Sequence, residues 1–125
     1  MPIRCLIVDD NQPFLDAARR LLEREGLSVA GVALTSDEAV RQAERLHPDV
    51  ILVDVFLGAE SGLELARTLV ERDSMDATVI LISTHTRDDL VDLIAMSPAA
   101  GFLTKAELSA DAIRRLVDGD ARLPG

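Results

Sequence analysis

One cysteine, no tryptophan, no tyrosine and only three phenylalanines occur among 125 residues. A single thiol excludes an internal disulfide and makes a cysteine-ligated metal centre untenable. Cys5 lies in the apolar run "IRCLIVD", so inert core packing is its expected role. The shortage of aromatic rings removes the usual platforms for stacking nucleobases. Basic residues are also outnumbered: 13 Lys and Arg against 22 Asp and Glu leave a formal charge of −9. That balance opposes phosphate-backbone binding, so no direct contact with nucleic acid is expected. No apolar run approaches the roughly 18–20 residues of a membrane span. The N-terminal "MPIRCLIVDD" lacks the apolar centre of a secretion signal. A cytoplasmic protein without membrane attachment is the expectation.

What is present is an alternation of strand and helix signals, five times over. Apolar runs at 3–9, 27–33, 49–55, 77–83 and 100–105 read as strands. The third and fourth, "DVILVDV" and "ATVILIS", are nearly continuous in apolar residues, as strands covered on both faces are. Between the first and second strands, "PFLDAARRLLERE" (13–25) puts Phe14, Ala18, Leu21 and Leu22 on one helical face, with Pro13 in the first turn and Gly26 as the stop. Asn11 is the natural cap for that helix. Thr35 with Glu38, and Ser61 with Glu64, have the spacing of capping boxes. They open helices with Ala39, Val40, Ala43 and Leu46, and with Leu63, Ala66 and Leu69, turned inward. His47-Pro48 closes the first of these. Residues 87–96 and 107–119 read as two further helices.

Five β-α units in one small chain imply a parallel sheet with helices on both faces, joined by right-handed crossovers. Ligands of such sheets bind beyond the carboxyl ends of the strands. Four strand ends carry polar groups: Asp9-Asp10, Asp54, Ser83 and Lys105. Three carboxylates at one point repel one another, and a hard divalent cation removes the conflict. Mg²⁺, with Mn²⁺ as the alternative, takes oxygen ligands from one or two carboxylates, waters and a phosphate. Asp10 and Asp54 supply two carboxylates, and Asp9 reaches the ion directly or through water. Lys105 is a mobile point charge that can pair with a carboxylate at rest and with a phosphate oxygen when one arrives. Ser83 offers a hydroxyl to the same phosphate. Since carboxylates form aspartyl-phosphate intermediates, the set reads as a site that accepts a phosphoryl group on Asp54.

These residues resemble the receiver domain of two-component response regulators over nearly the whole chain. The acidic pair matches Asp9-Asp10 in "LIVDDN", and the phosphoacceptor matches Asp54 in "VILVDVFLGAESG", with Gly62 eight residues later. The switch hydroxyl matches Ser83 in "VILIST", and the lysine matches Lys105 in "GFLTK", with Phe102 three residues before it. The resemblance implies a flavodoxin-like, doubly wound (βα)5 fold of strand order 2-1-3-4-5. It implies that residues 1–125 form a single receiver domain, expected to stand alone. A sensor histidine kinase or phosphotransfer protein would donate the phosphoryl group, and Phe56 would lend its backbone carbonyl to the metal. Ser83 would move toward the phosphate and Phe102 would turn inward, remodelling the surface that an unidentified downstream protein reads. A homodimer on phosphorylation fits the same picture. Such a domain assists its own phosphoryl transfer and loss and is not an enzyme acting on another substrate.

Three departures from the family pattern involve four positions. Gly58 stands where proline is usual, which should loosen the loop, and Thr84 stands where a smaller residue usually follows the switch hydroxyl. Phe56 and His85 occupy the positions that flank the path of hydrolytic water, where bulky Phe56 should shield an acyl phosphate. The same residues bear on other functions. A receiver module of a larger DNA-binding regulator is the nearest alternative. An aspartyl phosphatase would want an acid two residues past the nucleophile, where Phe56 stands. A flavin carrier would want a Ser/Thr/Gly-rich loop in place of "DDNQPF", and rings against the flavin.

Overall fold

The computed structural model describes residues 2–72 and 76–119. Residues 120–125, the tail of the expected single domain, lie outside the described residues. Five parallel strands form one sheet: β1 (Arg4–Val8), β2 (Ser28–Ala33), β3 (Val50–Asp54), β6 (Thr78–Ser83) and β7 (Gly101–Thr104). A short antiparallel pair, β4 (Phe56–Leu57) and β5 (Glu60–Ser61), stands apart from it. The order in the main sheet is β2-β1-β3-β6-β7, which is 2-1-3-4-5 counted over its own strands. The chain therefore reverses its direction of growth between β1 and β3, where the carboxyl ends open a crevice.

Alternate residues of the central strands face opposite layers, as the two-residue strand period requires. Cys5, Ile7, Val50, Leu52, Ile80 and Ile82 pack on one side with Leu15, Ala18 and Leu22 of α1 (Gln12–Arg24) and Ile113 and Leu116 of α5 (Ala110–Asp118). Leu6, Val8, Ile51, Val53, Val79 and Leu81 pack on the other side. Their partners are Ala39 and Ala43 of α2 (Ser36–Leu46) and Leu65, Ala66 and Leu69 of α3 (Gly62–Glu71). Cys5 is wholly buried, and burial with the nearby Asp49 charge pushes its thiol pKa up to about 12, so it is an inert core side chain.

Several boundaries differ from the sequence reading. The helical stripe of α1 centres on Leu15, with Phe14 and Leu21 half-buried at its edges, and that of α3 includes Leu65 while Leu63 sits at the margin. Residues 87–96 are not one helix: a 3₁₀ turn at Asp88–Leu90 precedes α4 (Val91–Met96). Residues 107–119 divide likewise. Lys105–Glu107 form a 3₁₀ turn, and α5 starts afresh behind the Ser109 cap. The complete capping box is at Thr104 and Glu107, where each side chain bonds the other's backbone N–H. At Thr35 only half a box forms, because Glu38 reaches past the cap to the Leu34 N–H. Caps read from single residues hold. Asn11 accepts from Phe14 N–H at 3.1 Å, Gly26 leaves α1 at φ 99°, and His47 ends α2 in the left-handed region.

Candidate functional site

Register decides which side chains meet. Val8 lies opposite Val53, so Asp9 and Asp54 follow at the same level of neighbouring strands. Asp54 pairs with Ile82, and Ser83 pairs with Thr104, so Ser83 and then Lys105 rise one step further along the same edge. The four strand ends of the sequence reading thus converge at the crevice between β1 and β3. After β1 the chain turns: Asp9 Oδ1 accepts the Asn11 N–H at 2.9 Å, which brings Asp10 round beside the two other acids. Carboxylate oxygens of Asp9, Asp10 and Asp54 come within 4.8 Å of one another.

The Lys105 ammonium lies 2.6 Å from Asp9 Oδ2 and 3.1 Å from Asp54 Oδ2. Asp9 is wholly buried, Asp54 nearly so, and Asp10 exposed. Burial, with the Asp9 charge added, holds the Asp54 carboxyl above its ordinary pKa, although the Phe56 N–H and Lys105 pull the other way. Burial alone would lower the Lys105 pKa. The hydrogen bond to Asp9 and the Asp54 charge outweigh it, and the ammonium is held above its ordinary value. One ammonium thus pairs with two of three clustered carboxylates, leaving a formal excess of two negative charges when all are ionised. Clustered hard oxygens with that excess fit a divalent cation of the Mg²⁺ type.

Gly58 takes a positive φ of 62°, and its turn closes the β4–β5 hairpin. Glu60 also accepts from the Ser36 N–H at 2.9 Å, tying the hairpin to α2. The Asp10 carboxylate packs against Gly58, where an added Cβ would sit 3.0 Å from Oδ2. Gly62 closes the loop: its N–H donates to Val55 O, and a Cβ there would lie 1.8 Å from the Asp54 carbonyl oxygen. Asp54 Oδ1 accepts from the Phe56 N–H at 3.0 Å, which orients the carboxylate.

Ser83 is buried, and its Oγ accepts from the His85 N–H at 3.1 Å with His85 Nδ1 3.3 Å away. Thr84 points outward. The Phe56 and His85 rings meet at 4.9 Å, tilted by 53°. Phe102 is buried with its ring inward, the position the resemblance reserves for the phosphorylated form. Arg87 holds it there, with its guanidinium 5.3 Å from the ring centre and donating to the Phe102 carbonyl at 3.0 Å. The sequence reading missed two groups: Arg87 at Phe102, and Phe14, whose ring centre lies 4.1 Å from the Lys105 ammonium. Neither has a spacing signal, because each contact joins segments far apart in the chain.

Comparison with known proteins gives the family of the chain. The sequence model of the response regulator receiver domain family matches residues 5–118. The chain belongs to that family. It is 33% identical to the transcriptional regulatory protein DegU of Brevibacillus brevis over 89% of this chain and 47% of the relative. The receiver domain of the response regulator NarL from Mycobacterium tuberculosis superposes with a TM-score of 0.82 at 26% identity, covering 94% of this receiver and 98% of that one. A response regulator of Burkholderia pseudomallei, solved with a phosphorylated aspartic acid, a calcium ion and citrate, gives 0.79 at 28% identity, covering 96% of this chain and 69% of that one. The receiver spans about half the length of the curated relatives it matches. Among its described residues, no helix is long and apolar enough to cross a membrane.

Proposed function

We propose that this receiver is a phosphorylation-dependent switch in which Asp54 accepts a phosphoryl group from a phosphohistidine of a sensor kinase or phosphotransfer protein. A carboxylate oxygen of Asp54 attacks phosphorus, the P–N bond breaks, and the histidine nitrogen leaves with the electron pair. Asp9, Asp10, Asp54 and the Phe56 carbonyl would hold Mg²⁺, or Mn²⁺, which supplies positive charge to the oxygens of the transferring group. Lys105 leaves its carboxylates for a phosphate oxygen, and the Ser83 hydroxyl turns from His85 to another. Phe102, beneath Arg87, couples that movement to the surface around α4, β7 and α5. The chain assists its own phosphoryl transfer and works through cytoplasmic protein contacts, including a homodimer formed on phosphorylation.

The observation that carries this reading is the single ammonium shared between two buried carboxylates at the strand ends. The phosphorylated aspartic acid of the Burkholderia relative adds support. Incubation with Mg²⁺ and acetyl phosphate, read by intact mass, should add one phosphoryl group to the native chain and none to Asp54→Asn. A native chain that gains no mass under these conditions overturns the reading.

The length of the relatives supports a second reading, a receiver module within a longer DNA-binding regulator. An immunoblot of the source cells distinguishes the two. A band at the receiver's own mass supports the stand-alone switch, and a band of about twice that mass supports the module.

A further inference from the structure

Lysine is a compact charge on a flexible four-carbon stem, so its position depends on what holds the two ends. The backbone of Lys105 is held by the Thr104–Glu107 capping box, which fixes the turn it opens. Its ammonium has three neighbours: Asp9, Asp54 and the face of Phe14. The first two are anions that a divalent cation would also seek. Once such a cation sits among the carboxylates, their pull on Lys105 weakens and the cation repels it. A neutral aromatic face is not neutralised by the cation, and its attraction for an ammonium persists.

Phe14 is placed for this by the same short run that carries the acids. Asp9 Oδ1 accepts from the Asn11 N–H, and Asn11 Oδ1 accepts from the Phe14 N–H. Pro13 sets the first turn of α1 beside them. The ring is half-buried and packs against the core layer shared by α1 and α5. "DDNQPF" therefore delivers both the Asp9 carboxylate and the aromatic face to one ammonium.

We propose that Phe14 is a positioning residue for phosphoryl acceptance, its ring keeping the Lys105 ammonium inside the site when a divalent cation takes over the carboxylates. This rests on the receiver reading above. The ring retains the ammonium within reach of the arriving phosphate, so that the lysine need not return from solvent.

The test compares native protein, Phe14→Leu and Phe14→Tyr in saturating Mg²⁺, with beryllofluoride as the phosphoryl mimic. Leucine keeps the apolar bulk and removes the π face; tyrosine keeps both. Beryllofluoride affinity should fall about two- to fivefold in Phe14→Leu, the range of a partly exposed cation–π contact, and stay native in Phe14→Tyr. By NMR, the Lys105 Cε methylene protons should keep their ring-current shift in the Mg²⁺-loaded native protein and in Phe14→Tyr, and lose it in Phe14→Leu. Equal affinity in Phe14→Leu overturns the role of the ring, as does an equal loss in Phe14→Tyr, which would mark a packing effect. Disappearance of the ring-current shift on adding Mg²⁺ also overturns it. Native protein that binds no beryllofluoride at all overturns the receiver reading itself, and this inference with it.

Discussion

Phe56 is the most exposed large ring at the site, with 47% of its surface accessible, and its only aromatic neighbour among the described residues is His85. The tilted pair stands next to both Asp54 and Ser83, since Phe56 N–H bonds the Asp54 carboxylate and His85 N–H bonds the Ser83 hydroxyl. In the sequence these two residues were separate observations, 29 positions apart. In the fold their rings meet. Excluding water is a recognised way to protect a reactive intermediate. Phe56→Asn should therefore shorten the half-life of the phosphorylated protein several-fold, followed by loss of the phosphoprotein band with time. A half-life that does not change removes the shielding role.

At the scale of elements, the site depends on how α3 and the 3₁₀ turn after β7 begin. Gly62 opens α3 with no room for a side chain: a Cβ would meet the carbonyl oxygen of Asp54 at 1.8 Å, its carbon at 2.7 Å and Val55 Cα at 3.0 Å. All three are backbone atoms, so no rotamer change relieves the clash. Gly62→Ala should cost about 1–3 kcal/mol, measured as a lower urea midpoint with an unchanged m-value. Because the strained atom belongs to Asp54, phosphoryl acceptance should slow in the same variant even in conditions where it stays folded. The Lys105 turn shows a different dependence. The capping box was legible as a motif at Thr35 and Ser61 but completes itself at Thr104, where Glu107 lies free of α5 and can fold back. Glu107 titrates below the ordinary glutamate range through its hydrogen bonds to Thr104.

For the molecule as a whole, three carboxylates gathered at one end of a chain with net charge −9 would couple the binding of a cation to stability. A cation that binds only the folded state stabilises it by about 2.7 kcal/mol at a hundred times its dissociation constant. Melting temperature should thus rise with Mg²⁺ in the native protein and much less in Asp54→Asn. The gain should fade on acidification. Burial and the Asp9 charge hold the Asp54 carboxyl above its ordinary pKa, so protons compete with the cation at a higher pH than for a free aspartate. The sign follows directly: a raised acid pKa means that the folded protein without cation gains stability as Asp54 is protonated, while the cation-bound form loses a ligand. Melting curves with and without Mg²⁺ should therefore converge as the pH falls; a gap that stays constant would exclude Asp54 from the cation site.

The five strands of the main sheet and most helix stops were legible along the chain, because two-residue and near-four-residue periodicities and caps such as Asn11 and Gly26 are local physics. So was the acid-and-lysine set, since residues at strand ends in a parallel sheet must share one edge. The strand order came from family resemblance, as no pattern within a strand says which neighbour it takes. Tertiary structure alone decided the register that levels Asp9 with Asp54, the closure of the Gly58 loop into a hairpin, the inward hold of Arg87 on Phe102 and the Phe14 face on Lys105. The hairpin pairs residues only a few positions apart; the others are contacts between segments remote in sequence, and their distances are set by how the layers pack rather than by any residue's own preference.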